Sequence, residues 1–158
     1  MAVQTALDKA LKLLANRART ALELDRALER AGFPVPERES ALARVRELGY
    51  INDHETARTR ARSRVGQGDA PRLAAKRLTA QGIDPPDARR AAAEAAEGVG
   101  EDELASRALQ RRLRGRQPTS EREKQRLLRA LIAKGHRPSA AAKALGIEWE
   151  GNDEIDEG

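Results

Sequence analysis

Apolar residues along this chain recur at intervals of three and four, the spacing that lines one face of an α-helix. Leu7, Leu11 and Leu14 share such a face over about residues 5–16. Thr20 opens a second helix with a capping box: Glu23 follows three residues on, so each side chain can satisfy the other's backbone N–H. Leu24, Ala27, Leu28 and Ala31 form its apolar stripe. A third helix, over about 37–48, aligns Ala41, Leu42, Val45 and Leu48 and ends at Gly49. Further helices are predicted over about 53–65, 70–81 and 85–97, then over about 101–114, 120–134 and 138–145. Ser120 with Glu123 makes another capping box, and Leu127, Leu128, Leu131 and Ile132 another stripe.

Three segments superpose on one another: Leu28-Glu-Arg-Ala-Gly32-Phe33, Leu78-Thr-Ala-Gln-Gly82-Ile83 and Leu131-Ile-Ala-Lys-Gly135-His136. Their glycines lie 50 and 53 residues apart, and Pro36, Pro85 and Pro138 follow within three or four residues. Glycine takes the left-handed position after a helix cheaply. Proline suits the first turn of the next helix, where its missing N–H costs nothing. The reading is an all-α fold of three tandem three-helix-bundle repeats, over 1–51, 52–98 and 99–146, forming an elongated curved array. Gly98-Val-Gly100 before Glu101-Asp-Glu103 reads as a flexible acidic joint, and Gln117-Pro118-Thr119 as a turn within the third repeat. Residues 147–158 form an acidic tail that is expected to be disordered.

Composition agrees with helices. Of 158 residues, 35% are charged and 2% aromatic, and unbranched Leu and Ala dominate the apolar set. Such side chains lose little rotamer freedom in a helix. A core of Leu and Ala is thin, which favours several small stacked units over one large globule. The chain has no cysteine, which excludes disulfides and thiolate metal sites and suits a reducing cytoplasm. No apolar run approaches the roughly 18 residues of a membrane span. The first sixteen residues lack the uninterrupted apolar stretch of a signal peptide. A cytoplasmic monomer is the expectation.

Charge is distributed unevenly. Residues 1–57 carry nine basic and nine acidic side chains; 58–90 carry nine and three, net +6; 107–129 carry nine and two, net +7. Residues 148–158 hold six acids and no base. A basic middle suits a partner that is anionic or bears acidic patches; a solvated surface with a solubilising tail is the other reading. The arginines recur at helical spacing: Arg58 with Arg62, Arg60 with Arg64, and Arg72 with Lys76 beside Arg77. Arg107, Arg111 and Arg114 form one stripe in the third repeat, and Arg122, Arg126 and Arg129 another. Few acids share these helix faces. Guanidinium pairs bidentately with phosphate or carboxylate, so the stripes are candidate contacts with a polyanion or an acidic protein. Scarce aromatics argue against base stacking and for contacts with a backbone or a protein.

The apparatus of catalysis is not legible. His54 and His136 stand 82 residues apart, and His136 occupies the apolar place held by Phe33 and Ile83 in the other repeats. Gly66-Gln-Gly68 is too short to cradle a phosphate and reads as an interhelical turn. The acids near 101–103 and 153–157 fall in flexible stretches, unsuited to placed acid–base chemistry. A non-enzymatic protein with no catalytic residue, metal or cofactor is expected. Pro138-Ser-Ala-Ala-Ala-Lys-Ala-Leu-Gly146 has the look of half a helix-turn-helix, but no recognition helix follows it.

Several motifs carry a family resemblance. Arg46-Glu-Leu-Gly-Tyr-Ile-Asn-Asp53, then Arg62-Ser-Arg-Val65 with Gln67-Gly68, then Pro71, Arg72, Leu78, Gly82 and Ile83 together resemble the RecX family over residues 5–146. The resemblance implies three three-helix repeats, binding in the groove of the RecA–DNA filament, and inhibition or modulation of strand exchange and ATP hydrolysis by RecA. It also implies roles in recombination, DNA repair and the SOS response. The candidate contacts would then be Arg58, Arg60, Arg62, Arg64, Arg72, Lys76, Arg77, Arg107, Arg111, Arg114, Arg122, Arg126 and Arg129. Thr56 and Arg60 stand where the family carries aromatics, and Asp69-Ala70 where it carries an aromatic–Gly pair. The middle repeat thus lacks apolar anchors, so either it packs loosely or Arg60 serves a partner. A helical DNA- or RNA-binding protein independent of RecA is the alternative function. A scaffold whose acidic tail recruits a basic partner is a third.

Overall fold

The computed structural model describes residues 3–155. Among them are nine helices and no strand: α1 Ala6–Asn16, α2 Ala21–Arg30, α3 Val35–Glu47, α4 Asp53–Gly66, α5 Pro71–Ala80, α6 Pro85–Ala95, α7 Glu101–Leu113, α8 Glu121–Ala133 and α9 Pro138–Leu145. No helix among these residues is long and apolar enough to cross a membrane.

Local chemistry sets the helix ends. Thr20 accepts the Glu23 N–H at 3.1 Å while the Glu23 carboxylate accepts the Thr20 N–H at 2.9 Å. The same reciprocal cap, unforeseen from the sequence, joins Thr5 and Asp8. The box expected at Ser120 is half formed. Ser120 accepts the Glu123 N–H, but the Glu123 carboxylate turns to Thr119, taking its N–H and its hydroxyl, both at 2.8 Å. Thr119 offers two donors where the Ser120 backbone offers one. α3 starts two residues earlier than expected, because Pro36 fits inside the first turn. Arg114, expected inside α7, lies just beyond it with φ 50°, in the left-handed region.

The helices group as α1–α3, α4–α6 and α7–α9, and every extensive helix–helix contact falls inside one triplet. Each triplet has its own core. Leu24, Leu28, Val45 and Ile51 fill the first, and six leucines, from Leu109 to Leu145, fill the third. The second has only Leu78 and Ile83 among seven alanines. It is nonetheless closed: Thr56 is buried, and Ala61, Ala74 and Ala88 are wholly so. The expected loose packing is absent because alanine faces let helices approach, and α6 packs on α5 and α4 more extensively than any other helix pair.

The triplets meet through one joint used twice. Gln81 and Lys134 each precede a left-handed glycine, Gly82 at φ 98° and Gly135 at φ 89°. The Thr20 hydroxyl, at the start of α2, donates to the Gln81 carbonyl. The Ala70 N–H, at the start of α5, donates to the Lys134 carbonyl at 2.8 Å. A Cβ added to Gly82 would lie 2.4 Å from the Leu22 Cβ, and one on Gly135 would lie 2.8 Å from the Leu73 Cβ. Glycine is therefore required at both joints for conformation and for room. Units joined only at corners make an elongated array. The accessible surface is 10007 Å² for 17.3 kDa, against about 7,800 Å² for a compact monomer of that mass.

The tail departs from the expected disorder where it is described. Residues 147–155 return to the third triplet, and the Asp153 carboxylate accepts the Ser139 N–H at 2.8 Å together with the Ser139 hydroxyl. Ser139 sits in the first turn of α9, where backbone N–H groups lack helical partners and the helix dipole favours a negative charge. Those bonds hold the Asp153 carboxyl below its ordinary range. The last three residues of the tail lie outside the described residues.

Candidate nucleic-acid interface

The thirteen candidate basic residues separate into those committed within the molecule and those turned outward. Arg60 is the most committed. Its guanidinium donates to the Glu23 carboxylate at 2.7 Å, to the Gln81 side-chain oxygen at 2.8 Å and to the Ala18 carbonyl at 3.1 Å. It closes the first joint from the second triplet, so a polar residue serves the fold at this position. Burial raises the Glu23 carboxyl, but the bonds from Arg60 and from the Thr20 backbone outweigh it, and its pKa is lowered.

The second joint also consumes cations. Arg72 and Arg137 both hold Glu101, at 3.1 and 2.9 Å, so α5, α7 and the α9 entry are tied together. The acidic run Glu101-Asp-Glu103 thus opens α7 and anchors the joint rather than forming a loose linker. Asp69 is buried and faces Lys134 at 3.3 Å and Arg77 at 3.7 Å. Beside it the buried His136 donates from Nε2 to the Gly68 carbonyl at 2.8 Å. Burial pushes the His136 imidazole below its usual pKa, against the opposing pull of the Gly68 carbonyl and the Asp69 charge. Arg58 lies between Glu55 and Glu94 at 3.8 and 3.7 Å, and Arg107 pairs with Glu103 at 3.0 Å. The expectation of few acidic partners fails for these residues: Glu23, Glu94 and Glu101 arrive from other helices, and Glu55 and Glu103 stand one turn away on the same helix.

Arg62, Arg64, Arg111, Arg114, Arg122, Arg126 and Arg129 form no ion pair among the described residues, and all but the half-buried Arg64 are exposed. Arg122, Arg126 and Arg129 run along α8. Arg111 and Arg114 belong to a crevice of about 570 Å³ between the second and third triplets. Arg112 and Lys134 line it with them; sequence spacing missed both, although the Arg111-Arg112 pair was a visible signal. Lys76 is exposed on α5. At the start of α8, Glu123 is lowered to about 2 by the Thr119 N–H, the Thr119 hydroxyl and Arg116. Among the described residues no three His, Asp or Glu side chains gather as a metal site.

Three helical triplets in a row, joined at glycine corners and carrying outward arginines on the second and third, define a helical-repeat protein. The first triplet matches the model of the RecX first three-helix domain over residues 6–44. The chain is 31% identical over 150 residues to regulatory protein RecX of Mycolicibacterium smegmatis, covering 92% of this chain and 80% of that one. It is 33% identical to regulatory protein RecX of Chlorobaculum tepidum, covering 92% and 82%. The match to the Legionella pneumophila proteins of that name is 36% identical but spans about half of each chain, 51% of this one and 53% of theirs. The crystal structure of RecX from Lactobacillus salivarius has the same fold, with a TM-score of 0.62 at 19% identity over 89% of this chain and 92% of that one. The chain belongs to the RecX family, and its relatives are named regulatory proteins.

Proposed function

We propose that this protein regulates the RecA recombinase without being an enzyme itself, by lying along the RecA–DNA filament and restraining strand exchange and ATP hydrolysis. It would act in recombination, DNA repair and the SOS response. The observation that carries this reading is the elongated array of triplets, whose second and third units hold Arg62, Arg111, Arg114, Arg122, Arg126 and Arg129 exposed and without an ion pair among the described residues. A long molecule can touch successive filament subunits, and contacts that are weak singly sum on the assembled polymer. Arg62, Arg111, Arg114, Arg122, Arg126 and Arg129 are the proposed contacts, while Arg60 is left to the fold.

The test is single-strand-DNA-dependent ATP hydrolysis by the cognate recombinase, with this protein added at sub-stoichiometric ratios. A fall in rate, relieved when Arg122, Arg126 and Arg129 become Ala, supports the reading. No change in rate, alongside tight, salt-sensitive binding to bare DNA, moves the function to a helical nucleic-acid-binding protein independent of RecA.

A further inference from the structure

The crevice between the second and third triplets has features that a stripe of surface arginines lacks. It is concave, and its lining comes from two repeats. Gln67 and Gly68 stand on the second-repeat side, and Arg111, Arg112, Arg114 and Lys134 on the third. No acidic residue lines it. Three of its four cations have no ion pair among the described residues; Lys134 alone shares Asp69, at 3.3 Å. The adjoining hollow carries Asp69 and Glu97 beside Arg107, which Glu103 already holds, so the unopposed positive lining ends at Arg111.

A second observation is independent of charge. Arg114 adopts φ 50° and ψ 46°, a left-handed conformation, and Gly115 follows at φ 83°. The third triplet therefore turns through two left-handed residues, and the first of them carries a long side chain. Glycine would hold that turn without steric cost, whereas an L-residue is disfavoured there. Glu97-Gly98 turns the same way at the end of the second triplet, but of the two left-handed side chains only Arg114 brings a cation to this crevice.

We propose that this crevice is a phosphate site that takes successive phosphodiesters of a nucleic-acid strand. The ligand class follows from the lining. Three guanidiniums can each present paired donors to phosphate oxygens. No aromatic lines the crevice, so bases are neither stacked nor read, and the contact is independent of sequence. Because both repeats contribute, a seated strand also fixes the angle between them. The inference rests on reading the basic middle as the surface that meets the filament, and it adds that this surface grips the DNA directly.

The experiment uses the full chain with a labelled oligo-dT at low salt, followed by anisotropy. The variant Arg111→Ala, Arg112→Ala, Arg114→Ala is set against Arg122→Ala, Arg126→Ala, Arg129→Ala, which removes the same charge outside the crevice. The crevice variant is expected to lose about tenfold or more in affinity and to flatten the salt slope by about 2, since each single-strand phosphate contact contributes roughly 0.7. The α8 variant should lose clearly less. Arg114→Gly separates binding from folding: it should melt no lower than the parent yet bind more weakly. Inorganic tripolyphosphate should displace the strand better than sulfate at equal ionic strength. Equal losses in the two triple variants would reduce the crevice to one part of a diffuse field and overturn the proposal. So would tripolyphosphate binding more tightly than the strand, which would make a free oligophosphate the ligand. Neither result depends on recombinase, whereas an unchanged ATPase rate would remove the filament reading and leave the crevice standing.

Discussion

The two joints share a backbone and differ in their side chains. In both, a carbonyl just before a left-handed glycine accepts a hydrogen bond from the start of the preceding repeat's second helix. At the first joint the surrounding bonds are short, with Arg60 reaching three acceptors within 3.1 Å. At the second, a buried carboxylate meets its cations at 3.3 and 3.7 Å, and its second oxygen, Asp69 Oδ2, lacks a hydrogen bond. Repetition preserved the hinge geometry. The polar dressing differs: one guanidinium closes the front corner, whereas the rear one combines Glu101 held by Arg72 and Arg137 at 3.1 and 2.9 Å with a buried Asp69 whose cations stand farther off.

The largest expected effect tests the shared part. Gly82→Ala combines a left-handed backbone with a Cβ 2.4 Å from Leu22, and should lose about 2–4 kcal/mol. At Gly32, φ is also positive but no atom lies within 4 Å, so Gly32→Ala should lose only about 1 kcal/mol. Urea midpoints for the pair isolate the close approach; equal losses would mean that the joint does not depend on it. Next comes the dressing of the first joint. Arg60→Ala removes three hydrogen bonds from a largely buried guanidinium and should cost about 1–2 kcal/mol. Lys134→Ala, at the second joint, strips the hydrogen-bonded cation from the buried Asp69 carboxylate and should cost a similar amount, about 1–3 kcal/mol. A loss under about 0.5 kcal/mol at Lys134 would mean that Arg77 alone suffices to hold Asp69.

The smallest effect is one of pH. The folded-state pKa of His136 lies below its ordinary value, so the unfolded chain binds the proton more readily. Stability is then fully present above the unfolded value near 6.5 and declines as pH falls through it toward the folded value. In His136→Ile, which restores the residue found at Ile83, melting temperature should change less between pH 8 and pH 5.5 than in the parent. An identical dependence in both would exonerate the histidine.

The helices were legible because their signals are local. Thr20 with Glu23, the three glycines, and the prolines after them all act within one or two turns, and the helices fell within about two residues of their expected ends. The commitments of the arginines were not legible, because Arg60 meets Glu23 from 37 residues away and Arg72 meets Glu101 from 29. Helical spacing places a charge on a face but does not say which distant acid will arrive there. The crevice was partly visible: Arg111 and Arg114 were marked by spacing, whereas Lys134 joined them only through the fold. Asp153 was hidden for a different reason. An acidic tail looks unfoldable by composition, and it is seated here by the Ser139 N–H and hydroxyl together with Ile147 on the third core.

Because each core is assembled from about fifty consecutive residues, no stabilising apolar cluster has to wait for the far end of the chain. Closing such short loops is entropically cheap, and folds dominated by local contacts form quickly. During synthesis the first triplet can finish its core while the third is still being translated, and each new unit docks onto a finished corner. Pulse-labelled hydrogen exchange on refolding should accordingly find α2 and α8, in the leucine-rich outer units, protected before the alanine-lined α6 between them.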